Sequence, residues 1–352
     1  MKIAFTICSN NYLAQAKALG DSIFRFNPDY HFFIGLTDKL IPDIDYKYEI
    51  KHEIIPVDII GIPDLDNLWK KYTLVEFNTC VKPFYFKYII NNYPGLDYLF
   101  YLDPDILVFH NLKSIENDFT HESKILLTPH ILTSIGIDDK SPDEKVFLKY
   151  GIYNLGFLGL KQPAKSIELI DWWKERTYHM GFNCPEQGLF VDQLWFNLVP
   201  ILFKGVKIST NKGLNMAPWN LHERDLSFKD GEFIISNNIP LIFYHFSGYK
   251  YNDPDILSSS YNRYLFEDNS EFQRLYNVIN KHLTDNGIEK YSRIACHYMI
   301  LHREYYDELK KKEEIEKISK IMSSPILRIR FLLKKILPKV IIRLYKALIN
   351  NK

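Results

Sequence analysis

The chain has 352 residues, 46% hydrophobic and 15% aromatic, which is ample for a large core in one big domain or two small ones. Its four cysteines, Cys8, Cys80, Cys184 and Cys296, are scattered without a CxxC, which argues against a zinc site or a disulfide framework and for a reducing compartment. The net charge of +1 is uneven: residues 324–352 carry eight basic side chains and no acid, leaving −7 on residues 1–323, so nucleic acid is not expected as a partner of the body.

The opening MKIAFTICSNNY has too short an apolar stretch for a signal peptide and reads as a first β-strand. No uncharged apolar run is long enough to span a bilayer. NYLAQAKALGDSIFRF has helical spacing. HFFIGLTD and HEIIPVDII read as the second and third strands. LWKKYTLVEFNTCVKPFYFKYIINNYPG reads as helix in two pieces around Pro83. YLFYLD is the next strand, then KILLTPHIL and GIYNLGFLGLK. SIELIDWWKERTYHM is an amphipathic helix, and DQLWFNLVPILF is expected to be helical up to Pro200. PLIFYHFSGYK is a strand ending in a turn, and from about Phe266 the pattern is helical. Alternating strands and helices predict an α/β sheet, mainly parallel, with ligands at the carboxyl ends of its strands.

The run YLFYLDPDILVF places two carboxylates and a proline inside an apolar stretch. Pro104 ends a central strand, so Asp103 and Asp105 fall at the strand's carboxyl end. Alternate residues of an extended segment point to one side, so both carboxylates can converge on a hard divalent cation such as Mg²⁺ or Mn²⁺. The bland alternative is two aspartates that cap turns. His245, in YHFSG, is either a hydrogen-bonded core histidine or a further metal ligand, and Gly248 permits close approach of the backbone to phosphate. Lys82, in VKPF, either snorkels to solvent or sets a charge on a phosphate. Asn154 and Gly156 sit in YNLGF. Asp192 and Gln193 sit in an apolar context, where a helix cap or a surface pair is the simpler reading. NMAPWNLHER, from Asn215 to Arg224, mixes Trp219, Asn220, His222, Glu223 and Arg224 and suits either a sugar or a structured loop.

In this order, SNNY, VKP, YLDPDI, LTPH, NLGF, DQ, APWN and HFSG resemble nucleotide-sugar glycosyltransferases of the GT-A fold. The chain is similar to family eight, the glycogenin and bacterial lipopolysaccharide galactosyltransferase group. It is more similar still to bacterial surface-polysaccharide glycosyltransferases. The resemblance spans residues 1–265 and implies a Rossmann-like mixed, mainly parallel sheet flanked by helices. Residues 266–323 then form a C-terminal helical extension, and 324–352 a tail. It implies that Asp103, Asp105 and His245 bind Mn²⁺ or Mg²⁺. Lys82, Asn154, Gly156, Gly248, Asp192 and Gln193 hold the phosphates and the sugar of the donor, Asp192 facing the anomeric centre. Thr6, Asn11 and Tyr12 meet the base, Tyr12 as a stacking platform. It implies a UDP-sugar donor, a cell-surface glycan or lipid-linked acceptor, and retention of configuration. Two positions depart from family eight: Pro104 stands where Ala is common, and HFSGYKYND replaces HxxGxxKPW, so Lys250 comes one position early. Asp138, Asp139 and Glu223 are further candidates for activating an acceptor.

In SSPILRIRFLLKKILPKVIIRLYKALINNK, five basic residues, Arg328, Lys335, Lys339, Arg343 and Lys346, share one side of a helical wheel and apolar residues lie opposite. This reads as a helix on an anionic membrane surface, which places the protein in the cytoplasm, peripheral on the inner face of the cell membrane. Packing on the acidic body is the alternative. Two other functions compete: a non-catalytic nucleotide or glycan binder on the same fold, and a sugar nucleotidyltransferase. The latter wants a glycine-rich loop after the first strand, and TICSNNYLAQ contains no glycine.

Overall fold

The computed structural model describes residues 1–236 and 238–323. The expected alternation is present. β1 (Lys2–Cys8) leads to α1 (Leu13–Phe26), and β2 (Tyr30–Leu36) returns parallel to β1. The short α2 (Tyr46–Glu49) precedes β3 (Glu53–Pro56), which pairs parallel with β2. Helices α3 (Leu65–Lys71) and α4 (Leu74–Asn92) lead to β4 (Tyr98–Leu102), parallel to β1 on its other side. Next come β5 (Ile106–Val108), α5 (Lys113–Asp118), β6 (Ile125–Pro129), α6 (Glu144–Tyr150) and β7 (Tyr153–Lys161). β7 runs antiparallel to both β4 and β6. After α7 (Ile167–Met180), two-residue strands β8 (Asn183–Cys184) and β9 (Leu189–Phe190) pair with each other. Then follow α8 (Val199–Leu202) and β10 (Val206–Ile208), parallel to β6.

The main sheet therefore has the order β10-β6-β7-β4-β1-β2-β3. Four of its six pairings are parallel, so it is mixed and mainly parallel, as the sequence suggested. A small antiparallel sheet of β11 (Leu226–Lys229), β12 (Glu232–Ile235) and β13 (Ile239–Pro240) follows, then β14 (Phe243–His245). The chain continues through α9 (Ser270–Asp285), α10 (Ile288–Tyr291) and α11 (His297–Ser323). α9 buries Phe272, Leu275, Tyr276, Ile279 and Leu283, a helical stripe that joins the same core as α1 and β14.

Residues 1–299 form one compact unit, and a second begins at Ile300, where the described part is helix. Among the described residues no helix is long and apolar enough to cross a membrane. The basic stretch 324–352, expected to lie on a membrane, falls outside the described residues.

Two expected boundaries shift. The helical region between β3 and β4 divides at Tyr72–Thr73, and Pro83 lies inside α4. The break is made by Glu76, whose Oε2 accepts from Thr73 N and Thr73 Oγ1 at 2.8 Å each. An internal proline costs a helix about 3 kcal/mol. Here α4 packs against α7 on both sides of that position, through Thr177 Oγ1 donating to Cys80 O at 3.0 Å before it and Phe84 on Tyr178 and Phe86 on Trp173 after it, which offsets the loss. Pro200, expected to end a helix, instead stands in the first turn of α8, after a 3₁₀ segment at Leu194–Leu198. There its missing N–H costs nothing.

Glu76 also accepts from Asn183 N at 2.7 Å and is buried. Glu76→Ala strands three donors, and an equilibrium denaturation curve is expected to show a loss of about 2 kcal/mol.

Candidate functional site

β4 is a central strand, flanked by β1 and β7, and its ladder ends where Pro104 would have to donate. Asp103 N still donates to Gly156 O of β7 at 2.8 Å, and a turn from Asp103 O to Ile106 N follows at 3.1 Å. The chain then enters β5, which pairs antiparallel with β14 and sets His245 opposite Ile106. Phe246 N donates to Asp105 O, and His245 N to Met216 O, both at 2.8 Å. These backbone bonds hold the imidazole beside the carboxylates. His245 Nε2 lies 3.0 Å from Asp105 Oδ1 and 3.9 Å from Asp103 Oδ2. One ligand atom from each of the three residues lies within 4.8 Å of the others. Two hard carboxylates and an imidazole form a donor set that fits Mn²⁺ or Mg²⁺.

The charges here are strongly coupled. Burial disfavours both charged forms, yet the carboxylate raises the His245 pKa above its ordinary value. The imidazolium in turn brings Asp105 below the usual carboxylate range, against the same burial. Beside this pair lies a second. Lys82, buried on α4, stands 2.8 Å from Asp192 Oδ2, outside hydrogen-bond angles, and 3.9 Å from Asp103 Oδ1. Its ammonium donates to Leu155 O at 3.1 Å and sits 4.4 Å from the centre of the Tyr101 ring. Lys82 therefore does not snorkel to solvent. Burial raises the Asp192 pKa, and the Lys82 charge only partly opposes the shift.

Gly156 is required by this geometry. A Cβ there would fall 2.4 Å from His245 Cε1 and 2.7 Å from Asn154 Oδ1. Asn154 belongs to an amide network that backs the site. Its Oδ1 accepts from Gly156 N at 3.1 Å and from Asn215 Nδ2 at 3.0 Å. Gln193 Oε1 accepts from Leu155 N, and Gln193 Nε2 donates to Tyr150 O, both at 3.0 Å. Burial lowers the His130 pKa to about 4, so the ring is neutral at pH 7. Its Nδ1 donates to Ile152 O at 3.2 Å, leaving Nε2 to accept from Asn154 Nδ2 at 3.3 Å.

Three cavities meet at Asp105. One of about 320 Å³ lies between the ends of β1 and β4, one face of α4 and the segment 190–193. It includes Tyr12, Lys82, Asp103, Gly156, Asp192 and Gln193. One of about 270 Å³ includes Tyr12, Gly248 and Lys250. Gly248 has φ +74°, and a Cβ there would lie 2.6 Å from Ser258 Oγ. A larger cleft of about 850 Å³ holds Asn154 and His245 and is walled by Tyr150, Phe190, Trp219 and Tyr261.

Not every proposed residue reaches these spaces. Thr6 is wholly buried within β1. Asn11 Oδ1 accepts from Ser9 Oγ at 2.5 Å. Asp138 pairs with Arg263 at 2.8 Å. Glu223 is buried, accepts from Leu132 N and Thr133 Oγ1, and borders a separate cavity with Arg224. Tyr101, whose hydroxyl donates to Asp103 Oδ1 at 2.5 Å, was missed. It was legible in principle: Tyr101 and Asp103 alternate along the end of one strand, whereas Asp105 reaches the site through the turn at Pro104.

No family model matches the chain. Among curated proteins it is similar to the uncharacterized protein YfnF of Bacillus subtilis (strain 168), at 29% identity over 246 residues, 70% of this chain and 80% of that one. It is also similar to the uncharacterized protein YfnD of the same organism, at 25% identity over 256 residues, 69% of this chain and 76% of that one. The solved structures it resembles include the galactosyltransferase LgtC in complex with donor and acceptor sugar analogs, at 18% identity and a TM-score of 0.44, covering 79% of this chain and 95% of that one. Another is the glycosyltransferase GlyE of Streptococcus pneumoniae TIGR4, at 15% identity and a TM-score of 0.43, covering 88% of this chain and 64% of that one.

Removing Lys82 leaves Asp192 buried and unpaired. Lys82→Met is expected to cost about 3–5 kcal/mol at pH 8. Asp192 has a raised pKa in the folded state. The folded state therefore binds its proton more tightly than the unfolded state does, and stability falls as pH rises through that pKa. Without Lys82 the pKa rises further, so the deficit against wild type should shrink as pH is lowered toward 5. Paired denaturation curves across that range measure it, and a deficit independent of pH would refute the assignment.

Proposed function

We propose that this chain is a metal-dependent glycosyltransferase of the GT-A type, moving a sugar from a nucleoside-diphosphate donor, UDP-linked, to a cell-surface glycan or a lipid-linked acceptor. The observation that carries this reading is the convergence of Asp103, Asp105 and His245 at the carboxyl end of the central strands, with a cavity on each side. Asp103, Asp105 and His245 would hold Mn²⁺ or Mg²⁺. When bound, the ion supplies positive charge to the diphosphate and to the leaving group.

The remaining work belongs to the chain's own residues. Lys82, fixed by Leu155 O and Asp192, adds a buried positive charge beside the donor cavity. Asp192 and Gln193 face the same cavity and suit the donor sugar, Asp192 toward the anomeric centre. Asn154, locked by Gly156 and Asn215, keeps Gln193 and the β7 backbone in place. Tyr12, nearly half exposed, offers a ring for the base. Gly248 and Lys250 border the cavity on the far side of Asp105, where the phosphates would extend. The aromatic walls of the 850 Å³ cleft suit an acceptor sugar, which packs apolar ring faces on aromatic side chains. Retention of configuration is taken from the resemblance to family eight. The basic tail 324–352 would bring the enzyme to the inner face of an anionic membrane, where a lipid-linked acceptor is presented.

Donor hydrolysis tests this. The purified protein is incubated with a panel of nucleotide sugars and Mn²⁺, and released nucleoside diphosphate is read. Release is expected from one donor and should vanish in EDTA. Asp105→Asn should reduce it by about a hundredfold or more, equivalent to roughly 3 kcal/mol, with a thermal melt near wild type. Full turnover in EDTA would overturn the metal reading. Donor binding without turnover, even with acceptors supplied, would mark a binder on the same fold.

A further inference from the structure

Tyr101 makes two contacts that the reading above leaves unused. It is buried near the end of β4, its ring edge-on to Phe5 at 5.2 Å and packed on Phe86 at 6.3 Å. The hydroxyl, fixed by that packing, donates to Asp103 Oδ1 at 2.5 Å, the length of a strong hydrogen bond to a carboxylate. The ring face takes the Lys82 ammonium, 4.4 Å from its centre. One neutral residue thus touches both charges.

The two oxygens of Asp103 have different surroundings. Oδ1 is bound by Tyr101, and Oδ2 is the oxygen nearer His245 Nε2, at 3.9 Å. A carboxylate turns easily about its last torsion unless something holds it. Lys82, 3.9 Å from Oδ1, could draw it round, but Leu155 O and Asp192 keep the ammonium closer to themselves, at 3.1 and 2.8 Å. The tyrosine hydroxyl is therefore what sets the angle of the carboxylate. With Oδ1 engaged there, Asp103 presents one oxygen to a cation rather than two. Mg²⁺ and Mn²⁺ favour compact octahedral shells, in which a carboxylate gives a single oxygen. Ca²⁺ is larger, takes more ligands, and readily accepts both oxygens of one carboxylate.

We propose that Tyr101 is a positioning residue that makes Asp103 a one-oxygen ligand and so biases the site toward Mn²⁺ or Mg²⁺ over Ca²⁺. This rests on the reading of Asp103, Asp105 and His245 as a cation site. Removing the hydroxyl frees Oδ1, while a phenyl ring still holds Lys82 and still packs on Phe5 and Phe86. The released oxygen is then able to turn to the cation beside Oδ2. That change suits Ca²⁺ and loosens the compact shell that Mn²⁺ prefers.

The test is calorimetric titration of the full chain with Mn²⁺ alone and with Ca²⁺ alone, for wild type and Tyr101→Phe, each repeated with UDP present. Wild type should prefer Mn²⁺. In Tyr101→Phe the affinity for Mn²⁺ should fall by about tenfold, and that for Ca²⁺ should fall less or rise, so the preference narrows. A hydroxyl that serves only the packing of β4 would lower the thermal melt and leave the ratio of the two affinities unchanged. That result, or an equal loss for both ions, overturns the inference while leaving the cation site intact. The wild-type arm decides without the variant in one direction: Ca²⁺ bound as tightly as Mn²⁺ overturns the inference even where Tyr101→Phe does not fold. If wild type binds neither ion, with or without UDP, the cation-site reading falls and this inference falls with it.

Discussion

Charge balance in a partly enclosed space governs this molecule. Three carboxylates, Asp103, Asp105 and Asp192, meet two groups able to carry positive charge, Lys82 and His245, within hydrogen-bonding or ion-pair distances. Each ion here loses hydration on folding, and the others, with Leu155 O and the Tyr101 hydroxyl, restore part of it. With the imidazole neutral, as a metal ligand must be, the three carboxylates exceed the Lys82 charge by two. A cation or a positively charged metal complex is the natural partner for that residue of charge. The surrounding backbone serves the same end: Leu155 O fixes Lys82, Gly156 O fixes Asp103, and Asp105 O is tied to Phe246 N.

Behind the charged groups stands a neutral layer. Asn154, Gln193, Asn215 and His130 exchange hydrogen bonds with each other and with the strand ends. Burial keeps His130 neutral, so this layer adds dipoles without adding charge. Such a layer fixes side-chain rotamers. An amide network so connected cannot rotate one member without breaking bonds at others.

Much of this was legible in the sequence. Pro104 marks the end of a central strand, which places the two aspartates at a carboxyl edge. The apolar run before His245 does the same for the imidazole. Residues that alternate could be assigned to one face by counting, and Tyr101 was available on those terms. What could not be read locally was pairing over long separations. Nothing near Leu107 reveals that Tyr244 lies opposite it. The continuity of α4 through Pro83 depends on α7, whose contacts are made more than eighty residues downstream. Glu223 has the look of an active-site acid in its own segment, but its carboxylate turns to Leu132 N and Thr133.

The β5–β14 ladder joins residues about 140 positions apart and delivers the imidazole to the carboxylates. A nascent chain that has emerged only as far as α7 carries the Asp-Pro-Asp segment but not its histidine. The proposed cation-binding set is thus complete only once β14 has been made. Under the proposed function, capture of an ion by all three residues would wait until residues 243–246 have docked. The last strand of the described residues acts as a clasp that sets His245 against the Asp-Pro-Asp segment.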